Sequence, residues 1–191
     1  TPVSIYLRLR EQFKNTVLLE SSDYHGDEHN FSYICFGAIA GYRLEKDVFS
    51  SFYPDGHTEN IQTNSQMHFG ILVNQFIKQF ETPSTNISDK IMTNALFGYM
   101  TYDVIEQFED IQLRHEKPNI PTAQYYAYQF IIAFNHFNHE LYIIKNAIEG
   151  IESKYNFSLD AIETMIKNNE FNLGHFSSIG EKTSNVDNET Y

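Results

Sequence analysis

Four groups of residues in this chain have types and spacings that could do chemistry. The stretch VLLESS, Val17 to Ser22, runs through three apolar residues into a carboxylate and two hydroxyls, a strand that leaves the core in hydrogen-bonding groups at Glu20 and Ser21. His25, Asp27, Glu28 and His29 form an H-x-D-E-H cluster of metal-type donors in a polar turn, although its spacing matches no standard zinc or calcium loop. His136 and His139 lie three apart. In a continuous strand such positions face opposite sides, so shared ligation needs a turn between them, and a structural role is the expected one. Asp103, Glu106, Glu109 and Asp110 gather acids in YDVIEQFED. Paired carboxylates do acid–base work when an apolar pocket holds one protonated, and nothing in the local sequence forces that here. A solvated helical face is the expectation for them. No phosphate loop, nucleophile elbow or Cys–His signature is present.

The elements that must position these groups are readable from periodicity and punctuation. Thr1 and Pro2 make a helix start, with Val3, Tyr6, Leu9 and Phe13 at helical spacing. NTVLLES follows as a first strand. FSYICFGAIAGYRLEK reads as two short strands separated near Gly37, and YPDG at 53–56 is a turn. A second helix is predicted over 65–80, with Met67, Phe69, Val73, Phe76, Ile77 and Phe80 as its apolar face. ALFGYMTYDVIEQFED begins as a strand and ends as a helical turn. AQYYAYQFIIAFNHFNHELYIIKNA reads as two long strands joined near Phe137 and Asn138. SLDAIETMIKNN is a short amphipathic helix capped by Ser158. Strands in adjacent groups with helices between them predict an α+β class with antiparallel β-sheets and packed helices. The expected division is one domain over 1–169 and a linker over 170–191, where periodicity is lost.

Composition narrows the function classes. Thirteen basic against 25 acidic residues give a net charge of −12, a field that repels phosphate backbones and anionic lipid. No Lys/Arg cluster overrides it, so neither a nucleic-acid nor a membrane partner is expected. The longest nearly apolar stretch, Tyr33 to Tyr42, is about half a membrane span. The single cysteine, Cys35, sits among apolar and aromatic neighbours and reads as a packed, inert thiol. N-x-S/T triplets at Asn30, Asn86, Asn156 and Asn188 matter only after secretion, and no signal peptide is visible. A cytoplasmic protein is the expectation.

Four ordered stretches carry a resemblance. TPVSIYLRL followed by LLESS resembles the start of anthranilate synthase component I, which commonly has an N-terminal helix and then a strand ending L-L-E-S. FGYMTYDVIEQFE is similar to that family's F-G-G-x-x-x-Y-D-x-x-x-x-F-E at Gly98, Tyr102, Asp103, Phe108 and Glu109, with Phe97 in place of one glycine. PTAQYYAYQFIIAFNH resembles a strand that begins at a Pro and ends in Asp-His, here Asn135-His136. TSNVDNETY resembles the Ser-Asn-x-x-x-x-x-Tyr at which the catalytic half begins. Two departures stand out. Asp23 to Phe31 offers no Lys or Arg where some members use a basic residue, and Ala38 stands where a Pro is frequent.

The resemblance implies a regulatory N-terminal domain of an enzyme that turns chorismate and ammonia into anthranilate and pyruvate in tryptophan biosynthesis. It implies Mg2+ as cofactor, with the chorismate and metal site in a C-terminal catalytic domain outside this chain, so the chain alone should be inactive. It also implies a glutamine amidotransferase subunit as ammonia source and feedback inhibition by L-tryptophan. Carried over residue by residue, the ligand-binding pair for L-tryptophan is Glu20 and Ser21. A carboxylate can meet the ligand's ammonium or accept the indole N–H, and a hydroxyl can donate and accept beside it. Leu18 and Leu19 would border the indole. Aminodeoxychorismate synthase component I shares this domain and is the nearest alternative; a free-standing, non-catalytic amino-acid-binding module is another.

Overall fold

Thr1 and Pro2 do start a helix. The chain's structure, a computed structural model, describes residues 1–21, 30–64, 68–80, 91–114, 119–168, 177 and 179–180. In α1 (Pro2–Gln12) the Thr1 side chain accepts from the Ser4 N–H and the Ser4 hydroxyl oxygen accepts from the Thr1 backbone nitrogen, a reciprocal capping box that satisfies donors at the helix start. The buried row is Ile5, Leu9 and Phe13, spaced four apart, while the expected Val3 is exposed.

Two long antiparallel strands form the centre. β2 (Phe31–Glu45) is one strand of 15 residues and not the expected pair of short ones, and it is matched along its length by β6 (Ala123–Asn135). The break read at Gly37 exists as an irregularity inside the strand. Gly37 has φ +70°, and the register shifts between Ala38 and Ala40. In a regular strand Phe36 and Ala38 would share a face; here they belong to different apolar clusters. The kink lets two separate helix groups cover one side of the sheet.

The other strands complete a seven-stranded antiparallel sheet. Its main path is β4 (Thr58–Gln62), β3 (Val48–Phe52), β2, β6 and β5 (Phe97–Met100). β1 (Val17–Leu19) pairs with the first half of β2, and β7 (Leu141–Lys145) pairs with the second half of β6. The α+β class with antiparallel strands is therefore as read from the sequence. The β3–β4 hairpin around the YPDG turn adds two strands that the sequence pattern does not mark, because β4 is almost wholly exposed and polar.

Over the first half of β2, Ile34 and Phe36 pack with Phe130 and Ile132 beneath α1 and α3 (Leu159–Lys167). The Arg8 guanidinium locks these two helices by donating to the Ile166 and Asn168 carbonyls at the α3 terminus. Ser158 caps α3 as expected, accepting from the Ala161 N–H at 3.1 Å. Over the second half, Ala40, Tyr42 and Leu44 pack under α2 (Phe69–Ile77). That helix is shorter than predicted and buries Phe69, Leu72 and Phe76, with Ile77 exposed; Met67 lies outside the described residues. The opposite face carries Phe31, Tyr33, Cys35 and Ala38 with Phe97, Tyr128 and Ile131.

The segment that begins as a strand and ends as a turn does so: β5 is followed by a 3-10 helix, Tyr102–Gln107. Gly98 is sterically obligatory, since a Cβ there would sit 1.9 Å from the Gln124 carbonyl oxygen. Phe97, where the resemblance has a second glycine, is buried in the core. Of the expected linker 170–191, only Ser177, Ile179 and Gly180 are described.

Candidate functional site

The end of β1 is fixed by three pairs, Val17 with Cys35, Leu18 with Ile34 and Leu19 with Tyr33. Alternation then separates the two leucines. Leu18 packs with the helix-covered core around Ile34 and Phe36, whereas Leu19 stands on the other face and is exposed. Of the pair expected beside an indole, Leu19 is the more exposed, and Leu18 is partly buried against the core. Glu20 and Ser21 follow directly, both exposed, just past the last ladder pair.

Across from them the start of β2 and the end of β6 meet. The Ser32 side chain is fully buried, and its Oγ lies 2.6 Å from His136 Nε2. The His136 backbone N–H donates to the Asn30 carbonyl at 2.9 Å, and its ring packs edge-on against Phe134 with centroids 4.9 Å apart. Asn135 closes the turn beyond β6, its Oδ1 accepting from the Phe137 N–H at 2.8 Å. On the opposite face Phe31 and Tyr33 stack at 6.0 Å. Local spacing could not have revealed the Ser32–His136 contact, because 104 residues separate its members and only the β2–β6 register brings them together.

The remaining candidates are dispersed. His25, Asp27, Glu28 and His29 lie outside the described residues. His139 sits in the β6–β7 turn with φ 60°, while His136 is held by Ser32. Among the described residues no three His, Cys, Asp or Glu side chains are gathered as a metal would require, so none of them is assigned to Mg2+. Asp103 corrects the expectation of a fully solvated acidic face: it is buried in the first turn of the 3-10 helix. Glu106 accepts from the Leu113 N–H at 2.8 Å, and Glu109 and Asp110 are exposed. Cys35 is buried and free, and burial pushes its thiol well above the ordinary range. An inert thiol is what that environment makes.

A groove of about 290 Å³ runs between the β3–β4 turn and the loop 146–154, with Ile39 and Gln129 among its lining. Neither Glu20 nor Ser21 borders it, nor the cleft of about 220 Å³ beside Arg8 and Asn168. Among the described residues no helix is long and apolar enough to cross a membrane.

No family model matches the chain. Among curated proteins it is similar to the anthranilate synthase component 1 of Aquifex aeolicus (strain VF5), 23% identical over 192 residues, which is 98% of this chain and 38% of the relative. The chain thus spans well under half the length of the curated relative it matches. Among solved structures it is similar to the crystal structure of anthranilate synthase component I from Streptococcus pneumoniae TIGR4, with a TM-score of 0.46 and 19% identity over 87% of this chain and 33% of that one. The resemblance carried by the motifs is therefore matched by a similarity that runs along nearly the whole sequence.

Proposed function

We propose that this chain is the N-terminal, tryptophan-sensing part of an anthranilate synthase component I. The observation that carries this reading is the similarity to the Aquifex aeolicus protein over 98% of the chain. On this reading residues 1–169 form the regulatory domain, and 170–191 lead into a C-terminal catalytic domain. The whole protein converts chorismate and ammonia to anthranilate, pyruvate and water. Mg2+, bound in the catalytic half, would supply charge stabilisation for the carboxylates of substrate and transition state. Ammonia would come from glutamine through an amidotransferase subunit, and the enzyme would work in the cytoplasm. This chain alone would be inactive, because the reacting site lies elsewhere.

Glu20 and Ser21 would hold L-tryptophan, the carboxylate meeting the ligand's ammonium and the hydroxyl serving as a second polar contact. Leu19 supplies apolar surface beside them. Inhibition follows only if tryptophan binds the inactive arrangement more tightly than the active one. The test is anthranilate fluorescence from the full-length native protein with chorismate, Mg2+ and ammonium, with and without L-tryptophan. Anthranilate formation suppressed by tryptophan, and released from suppression by Glu20→Ala or Ser21→Ala, supports the reading. Aminodeoxychorismate as product assigns the chain to the folate-precursor branch, and no product at all leaves a binding module.

A further inference from the structure

We draw no further inference here: the strongest candidate, the groove of about 290 Å³ between the β3–β4 turn and the loop 146–154, has polar lining already hydrogen-bonded within the chain, Gln129 to Ser153 and Tyr155 and Asn146 to the Thr93 and Tyr128 carbonyls, and nothing in the structure shows what covers it.

Discussion

Replacing Phe97 by Gly would restore the glycine pair of the resembled motif, and the structure predicts that it unfolds more than it restores. Phe97 is 3% exposed, with its ring 5.8 Å from Tyr33 and 6.4 Å from Tyr128. Truncating such a phenylalanine to alanine costs about 3–5 kcal/mol through lost transfer energy and the cavity left behind. Removing the last methyl inside a strand adds roughly 0.5–1 kcal/mol of backbone entropy. The sum, about 4–6 kcal/mol, is a large part of the 5–15 kcal/mol that typically separates folded from unfolded chains. For a chain of this length it lowers Tm by roughly 8–24 °C. Thermal melts, with urea titration to confirm a lower midpoint at unchanged slope, measure it directly. Phe97→Leu, which keeps most of the volume, should cost less than about 1.5 kcal/mol. A Phe97→Gly protein that melts within about 2 °C of the parent would show that the ring fills no core, and the account of this departure would fall.

Two further predictions concern titratable groups buried in the core. Cys35 should fail to react with a thiol reagent in the native protein and react stoichiometrically once urea unfolds it, since burial disfavours its thiolate; labelling of the native protein at the rate of a free thiol contradicts its placement. Burial likewise raises the Tyr42 and Tyr128 phenols above their ordinary value, so folding favours their neutral form. In the unfolded chain these phenols ionise near about pH 10, so the stability they contribute is complete below that point and is lost as pH rises beyond it. The urea midpoint should therefore fall between about pH 9 and pH 11, and Tyr128→Phe should weaken that dependence while losing the bond to the Asn15 carbonyl at 2.7 Å. Equal midpoints at the two pH values refute the assignment.

Most of the fold was legible because the strong signals were local. Thr1-Pro2, Ser158 and the strand-then-turn pattern after Phe97 all use chemistry confined to a few residues, and each appears where read. The errors arise where tertiary context decides. Gly37 reads locally as a break between strands, yet pairing with β6 continues on both sides and absorbs the glycine as a kink. The β3–β4 hairpin escaped notice because an exposed edge strand lacks the alternation that marks a half-buried one. The acidic neighbours of Asp103 predict a solvated face, but the 3-10 helix turns Asp103 inward. In the candidate site Glu20 and Ser21 came only from the resemblance. His136 was considered for a metal with His139, whereas register places it with Ser32.

The long β2–β6 pairing also governs how the chain must fold. Its pairs join residues 79 to 104 apart, from Leu44 with Ala123 to Phe31 with Asn135, so the centre of the sheet closes a large loop before any of them can form. During synthesis, at about 5–20 residues per second, β2 would wait roughly 5–20 s for its partner. Throughout that interval the run FSYICFGAIAGY presents an open, apolar strand edge to other chains. The β1 and β3–β4 pairings are local and can occupy one side of it, but the β6 side stays bare. Dilution and rapid supply of the β6 segment, more than any gain in final stability, should decide how much of this chain reaches its folded state.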